Sequence, residues 1–354
     1  MIIALYSFLE LYGLKRHDVL KLYVMLCFGL FAMSFLRWER GTDWTAYLTF
    51  FQSIPSNTWM PESNFEIGYT FLAGLTKSIT TEYTVMLFFC AVIIFLFQST
   101  AIWRLSPYPI FSLLFWFGIN YAGVFFVRQT IAGAILLYSI LFIRDRRFWP
   151  FVICLFSASL FHRSSIIFLL AYWVYQWRIS AWVMILGVLV AIGLAGVADA
   201  IMQSFGSLVG GAIQMKIDAY TGELRGETFG LSQSMPIIIA KAFFSKLLLI
   251  VVALIVVKRI ERKYPEFRGY LNLYWLGAVI FLMTITISAG LARLGYSFDI
   301  LQIIILPYII RSINGRPLRL FAILVSFAYI ALRLYTVTTG GYYDLYVPYK
   351  TVFG

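Results

Sequence analysis

The sequence predicts an all-α polytopic membrane protein with about eleven transmembrane helices, within a range of roughly ten to twelve. The first observation is composition: 61% of the 354 residues are hydrophobic and 12% are charged, whereas soluble domains carry about 25% charged residues. The second is a mean hydropathy of +0.85. The third is that apolar runs recur along most of the chain. We therefore predict a single transmembrane domain over residues 1–354.

Each predicted span is an apolar run of roughly 17–25 residues, the length needed to cross a bilayer. The strong candidates are residues 19–37, 84–103, 108–126, 181–201, 236–257, 271–290 and 317–335. Shorter candidates are residues 129–143, 147–162, 164–177 and 296–311. The stretch 1–14 lacks a basic start and a small-residue cleavage site, so we expect a tilted span or an interfacial helix rather than a signal peptide.

Basic residues orient these spans, because short cytoplasmic loops carry an excess of lysine and arginine. If 19–37 leaves the cytoplasm, more than half of the 28 basic residues fall on one side, clustered in motifs such as RDRR and KRIERK. That side is predicted to be cytoplasmic. The opposite, outer side receives two long polar loops, about 38–83 and 202–235, and the C-terminal tail 336–354. Long aromatic loops outside and short basic loops inside indicate that the function is carried out on the outer face.

Arg128 and Gln129 interrupt the apolar motif FFVRQTIAGA, and Arg293 interrupts SAGLARLGYSFD. A charged side chain at the bilayer centre costs about 2.5–3.5 kcal/mol on insertion scales. Under the predicted topology both arginines lie at outer ends of spans. Each could snorkel to the interface, or each could face a wet cavity and bind a ligand.

Further ionisable residues reach the same predicted depth. Arg37 and Arg40 border the first strong span, and His162 and Arg163 lie together in SLFHRSSI. For the three arginines, snorkelling is the favoured interpretation when each is taken alone. Their convergence on one side favours a shared site. A pyrophosphate fits such a site, because its oxygens accept paired hydrogen bonds from planar guanidinium groups.

Three residues are candidates for handling a proton or a hydroxyl group. Histidine titrates near neutral pH, so His162 is a candidate general base, although a structural role is the alternative. Asp43 in RGTDWTAY and Glu66 in NFEIGY are the competing carboxylates. Asp43 could instead pair with a nearby arginine, and Glu66 could cap a short helix. Two acids in one outer loop could also bind sugar hydroxyls.

Other chemistries find little support. The three cysteines lie singly in apolar runs, which predicts neither a disulfide nor a zinc site. We find no glycine-rich phosphate loop, no serine nucleophile elbow and no acidic metal motif, so no metal and no cofactor are expected. The net charge of +12 is explained by membrane topology, so no nucleic-acid partner is predicted.

An ordered set of motifs resembles the EpsG-like branch of Wzy-type polysaccharide polymerases. The motifs are RGTDWTAYLTFF, NFEIGYTFLAGL, VRQTIAGAILLYSI, ASLFHRSSIIFLL, AGLARLGYSFDILQIIILP and the tyrosine-rich YYDLYVPY, spread from residue 37 to about 349. The resemblance implies a GT-C-like helical bundle in a bacterial inner membrane, with its site facing the periplasm. The matching positions that carry it are Asp43, Glu66, Arg128, His162 and Arg293.

The resemblance also implies a reaction, in which oligosaccharide repeat units on undecaprenyl pyrophosphate are joined into O-antigen, capsule or exopolysaccharide. The implied partners are the lipid-linked glycan donor and acceptor, membrane lipid, a chain-length regulator and a flippase. Arg128 and Arg293 are expected to hold the donor pyrophosphate, and Glu66 to position the acceptor. Asp43 is slightly preferred over His162 as base, because Arg163 adjoins His162.

Two alternatives remain open from the sequence. An O-antigen-type ligase would use the same leaving group and move a finished glycan to another acceptor. A transporter or flippase of lipid-linked sugars would need polar groups along a path through the membrane. Ionisable residues in the middle of spans are few, with Lys241, Lys246 and Arg333 the exceptions, which favours the polymerase.

Overall fold

The computed structural model describes residues 2–41, 43–55, 58–119, 121–125, 127–195, 197, 204, 235–286, 289–339 and 343–354. In these residues every regular element is helical. Among the described residues, five helical stretches are long and apolar enough to cross a membrane: Arg16–Phe35, Tyr83–Leu105, Ile239–Glu261, Leu291–Ser312 and Arg316–Thr336; the fourth comprises two consecutive helices. The chain is therefore an all-helical polytopic membrane protein, as the composition predicts.

The chain divides into two compact units, of which the first comprises residues 1–166 and 313–354. Its helices are α1 (Ile2–Tyr12), α2 (Arg16–Phe35), α3 (Trp44–Ser53), α4 (Ile67–Ile79), α5 (Tyr83–Leu105), α6 (Pro109–Ile119), α7 (Arg128–Arg144), α8 (Phe148–Phe161), α15 (Arg316–Thr339) and α16 (Tyr343–Tyr346), with a 3₁₀ turn at Tyr121–Val124.

Helix α7 forms the centre of the first unit. It packs against α5 on one side and α8 on the other, and nearly every side chain from Thr130 to Ile143 is buried. A helix that is apolar all round is stable only when neighbours surround it. The central position of α7 matters because its first residue is Arg128.

The second unit comprises residues 167–312. Its helices are α9 (Ala171–Val174), α10 (Ala181–Ala195), α11 (Met235–Glu261), α12 (Phe267–Thr284), α13 (Ala289–Asp299) and α14 (Gln302–Ser312); a 3₁₀ segment, Arg163–Leu170, leads into it. Gly277 and Gly295 let α12 and α13 approach closely, since a Cβ on Gly295 would lie 2.8 Å from the Gly277 carbonyl oxygen. Small residues at such contacts are typical of membrane helices.

The helices differ in detail from several predicted boundaries. The loop 38–83 contains α3 and α4, which a search for 20-residue apolar runs misses because both helices are short. The predicted span 296–311 is divided between α13 and α14, and hydropathy misses the break because Ile300 and Leu301 are apolar. The predicted span 164–177 begins as a 3₁₀ helix, and α15 continues past residue 336 to Thr339. The predicted loop 202–235 lies outside the described residues except for positions 204 and 235.

Candidate functional site

Four residues predicted from the sequence come together in the first unit, joined by Tyr47. Arg128, at the start of α7, forms an ion pair with Glu66, which directly precedes α4. The Arg128 Nε also donates a hydrogen bond to the Tyr47 hydroxyl oxygen at 2.8 Å. His162, at the end of α8, places its Nδ1 3.5 Å from the other Glu66 oxygen. The Tyr47 hydroxyl lies 3.5 Å from Asp43 Oδ2. We call these five residues the Glu66 cluster.

The position of Glu66 follows from the way that α4 begins. The residue is extended (φ −67°, ψ 147°), and its carbonyl accepts the first bond of the helix from the Thr70 amide. Gly68 allows α4 to lie directly against α8, since a Cβ there would be 2.8 Å from the Leu160 carbonyl oxygen. A carboxylate is favourable beside a helix N-terminus. This close contact brings Glu66 within reach of His162, two residues beyond Leu160.

The electrostatics of the cluster keep Glu66 ionised. Burial by itself would raise the pKa of Glu66, but the hydrogen bond from His162 and the positive charge of Arg128 lower it to about 2. A carboxylate this acidic is a poor base at neutral pH. Its position between two nitrogen donors suits it to orienting both of them.

Aromatic rings surround the Arg128 guanidinium. Its Cζ lies 4.8 Å from the Phe65 ring centroid and 5.3 Å from that of Tyr47. Burial raises the pKa of Tyr47 despite the opposing charge of Arg128, so this hydroxyl stays protonated. It accepts from Arg128 and can donate to Asp43. Cation–π contacts of this kind contribute about 0.5–2 kcal/mol and hold the guanidinium plane in place.

Three polar atoms beside the cluster are buried without a hydrogen-bond partner in the described part of the chain: His162 Nε2, Ser164 Oγ and Ser165 Oγ. Buried polar groups normally have partners. Because Nδ1 of His162 faces the Glu66 carboxylate, the ring is expected to carry its proton there. Nε2 is then an unprotonated, buried nitrogen whose acceptor capacity is unused in the described residues.

Arg37 and Arg40 have protein partners instead of an open site. Arg37 is 2% exposed and donates to the Val124 carbonyl oxygen at 3.4 Å. Arg40 is also buried, and its guanidinium donates to carbonyl oxygens of the C-terminal tail, at Pro348 and Asp344. The Arg40 bonds occupy donors that were predicted to bind substrate, whereas Arg37 Nε is buried without a hydrogen-bond partner among the described residues.

The remaining predicted residues stand apart from these contacts. Gln129 is half-buried beside Arg128, and Arg163 is exposed. Arg293 is an exposed residue of α13 in the second unit. Within the described residues, no group of three or more His, Cys, Asp or Glu side chains is placed to hold a metal.

Tyr47 and Phe65 are the members of this region that sequence reasoning missed. Both lie inside the quoted motifs, and Tyr47 follows Asp43 by four residues, which is one helical turn. That spacing was the available signal for Tyr47. Phe65 directly precedes Glu66, but nothing in the sequence singles it out from the other 32 phenylalanines.

Comparison with known proteins identifies the family. The EpsG family model matches residues 20–351, nearly the whole chain. Searches of curated proteins and of solved structures returned no match. The matched region contains every residue of the Glu66 cluster, and membership suggests a glycosyltransferase-like role in polysaccharide polymerisation. This chain belongs to the EpsG family.

Proposed function

We propose that the protein polymerises undecaprenyl-pyrophosphate-linked oligosaccharide repeat units on the periplasmic face of a bacterial inner membrane. The observation that carries this proposal is the Glu66 cluster, in which an arginine, a carboxylate and a histidine from three helices meet at one place. Glycosyl transfer requires a cation for the departing pyrophosphate and a base for the incoming hydroxyl. The family membership supports the same reaction class.

The reaction is a displacement at the anomeric carbon of the donor glycan. A bond forms between that carbon and an oxygen of the acceptor sugar, and the bond to the pyrophosphate oxygen breaks. The acceptor proton passes to a base, and undecaprenyl pyrophosphate leaves with the bonding electron pair. Atoms and charges balance without an oxidant, a reductant or a metal.

We assign the base to His162 in preference to Asp43. The Glu66 carboxylate near Nδ1 and the unpartnered Nε2 favour a ring that accepts a proton at Nε2. As the imidazolium forms, its charge is stabilised by Glu66. Asp43 is exposed and lies near only the Tyr47 hydroxyl in the described contacts, so we assign it to binding of acceptor hydroxyls.

Arg128 is proposed to stabilise the leaving pyrophosphate together with Arg293. Two of its nitrogens are held by Glu66 and Tyr47, so the guanidinium is oriented before substrate arrives. A group oriented in advance stabilises developing charge without reorganisation. We call Arg128 and Arg293 together the pyrophosphate clamp. Arg293 is exposed on its own helix, and its assignment to the clamp rests on the sequence.

The topology belongs to the same proposal. Besides the five long helical stretches, shorter apolar helices lie at Pro109–Ile119, Phe148–Phe161, Arg163–Val174 and Ala181–Ala195. With the buried α7 these make ten crossings, and α12 (Phe267–Thr284) makes the eleventh. Shorter helices can cross where the bilayer thins or where neighbours cover their ends. A GT-C-like bundle with outer loops would present the cluster to lipid carriers in the outer leaflet.

The decisive experiment combines cells with purified protein. Arg128→Ala and Arg293→Ala, each checked for stable expression, should abolish the polymer ladder on gels and leave single repeat units. Purified protein with lipid-linked repeat units in detergent should form the glycosidic bond, which a transporter would not do. Accumulation of long lipid-linked polymer in the variants would instead identify a ligase. Normal ladders in both variants would refute the pyrophosphate clamp.

A further inference from the structure

The C-terminal residues 343–354, which we call the tail strap, form main-chain hydrogen bonds with the segment 36–41. The Trp38 amide donates to Lys350 O at 2.9 Å, and the Val352 amide donates to Leu36 O at 2.9 Å, on either side of an antiparallel bridge between Arg37 and Thr351. The Gly41 amide donates to Leu345 O at 3.0 Å. Segments about 310 residues apart in sequence are thereby paired through the backbone.

Arg40 is the side chain that fixes this pairing. It is 8% exposed, and its guanidinium donates to Pro348 O at 2.6 Å and to Asp344 O at 3.0 Å. Charge-assisted bonds of this kind are roughly twice as strong as neutral ones. A buried guanidinium that satisfies two carbonyls of one short segment is costly to displace.

The tail strap also covers the segment that leads into α7. Tyr346 is buried, with its ring centroid 5.1 Å from that of Phe125 and 6.1 Å from that of Tyr121. From the other side, Ser34 and Arg37 both donate to Val124 O, at 3.3 and 3.4 Å. Residues 121–125 are thus held between α2 and the tail strap.

Both segments held by the tail strap lead directly into the Glu66 cluster. The segment 36–41 ends two residues before Asp43, and 121–125 ends three residues before Arg128. We infer that the tail strap is a positioning element for catalysis, in which Arg40 and Tyr346 set the placement of Asp43 and Arg128 without touching substrate. Its catalytic part rests on the proposed function; its structural part does not.

Hydrogen–deuterium exchange of the purified full-length protein tests the structural part. Tyr346→Ala and Arg40→Gln should raise the exchange rate of amides in 121–130 by about tenfold or more, as expected for loss of a buried contact of this kind. The helix Phe267–Thr284, in the other unit, reports whether a variant is still folded. Phe353→Ala is the matched control, because this tail side chain is 84% exposed, and it should leave exchange unchanged.

Kinetics with lipid-linked repeat units in detergent test the catalytic part. Misplacement of Arg128 should lower kcat about tenfold or more with a smaller change in KM, because the lost interaction belongs to the transition state. Arg40→Lys, which keeps the charge on a single donor nitrogen in place of the guanidinium fork, should recover part of kcat. If amide exchange in 121–130 is unchanged in both Tyr346→Ala and Arg40→Gln, the tail strap does not hold this segment and the inference is overturned. A wild-type protein without polymerase activity would refute the proposed function, while the exchange data would still judge the strap.

Discussion

Glu66 determines the arrangement of its cluster because each of its two oxygens faces a different cationic or ionisable partner. One Glu66 oxygen holds the Arg128 guanidinium in place through the ion pair. The other lies near His162 Nδ1 and favours the tautomer of the ring that carries its proton on that nitrogen. A single carboxylate therefore orients both the arginine proposed to stabilise the leaving pyrophosphate and the histidine proposed to be the base. Because both contacts stabilise the ionised carboxylate, the pKa of Glu66 falls to about 2, and this lowering contributes to the stability of the folded protein.

Glu66→Gln is expected to make stability less dependent on acid. The pKa of Glu66 in the folded protein, about 2, lies below the ordinary value of 4.5. Its contribution to the unfolding free energy, on the order of 3 kcal/mol, is fully present above pH 4.5 and is lost as pH falls toward 2. Thermal unfolding in detergent from pH 7 to pH 3.5 should show the wild type losing part of its advantage over the variant, at about 1.4 kcal/mol for each pH unit below 4.5.

The control for this experiment is Glu82→Gln. Glu82 precedes α5 as Glu66 precedes α4, but it is exposed. Its substitution should change the unfolding midpoint by little at any pH. A wild-type advantage over Glu66→Gln that stays constant down to pH 3.5 would show that the carboxylate charge is not stabilising.

Tyr47→Phe is expected to weaken polymerisation while keeping the fold. The change removes the hydroxyl that accepts from Arg128 Nε at 2.8 Å and keeps the ring against Phe65. Hydrogen bonds to charged groups contribute about 1.5–3 kcal/mol, so the initial rate with lipid-linked repeat units should fall about tenfold or more. Tyr12→Phe, at a tyrosine that is 60% exposed, is the control. Equal rates for the two variants would exclude a role for the Tyr47 hydroxyl.

At the scale of the elements, the site depends on how closely α4 approaches α8. Glu66 and His162 belong to different helices, and the glycine at position 68 removes the Cβ that would separate them. Membrane helices approach closely where small residues meet, since packing must supply the energy that the hydrophobic effect does not. The geometry of the cluster is therefore sensitive to one methyl group.

Gly68→Ala is expected to destabilise the protein and impair polymerisation. The new Cβ would lie 2.8–2.9 Å from Leu160 atoms, and overpacking of this size costs about 1–3 kcal/mol. Gly133→Ala is the matched control on α7, where a Cβ meets nothing within 4 Å; there the substitution should stabilise the helix by about 0.5–1 kcal/mol. Thermal unfolding and polymer ladders measure both. Similar behaviour of the two variants would show that α4 tolerates displacement from α8.

The sequence predicts which residues of the site are chemically capable, and the structure shows which contacts they make. Arg128 and His162 are recognisable because charge next to an apolar run is costly. Arg40 carries the same signal, but its guanidinium lies on carbonyls about 300 residues away, a pairing that no local pattern reveals. Tyr47 is one of 23 tyrosines; its spacing of four residues from Asp43 is a weak signal, and the packing of α3 against α4 places it in the site.

At the scale of the whole molecule, composition predicts the class, and hydropathy locates most helices. Hydropathy fails where helices are short and amphipathic, as in α3 and α4, and where a break falls on apolar residues, as between α13 and α14. Both failures have one cause: average apolarity over a window contains no information on local backbone geometry. Clusters of basic residues, in contrast, predict which side of the membrane each loop of the chain faces.

The proposed orientation predicts opposite labelling at outer and inner positions. Glu62 lies in the outer loop, whereas Asp145 and Arg262 lie in basic loops separated from it by odd numbers of proposed spans; all three are exposed. In a background with Cys27, Cys90 and Cys154 changed to alanine, Glu62→Cys should react with a membrane-impermeant thiol reagent whose access is restricted to the outer face. Asp145→Cys and Arg262→Cys should react only after permeabilisation. Because the basic clusters dictate all three positions together, the reverse pattern would place the Glu66 cluster in the cytoplasm. A flipped lipid-linked donor could not reach it there, and the proposed polymerisation would be excluded.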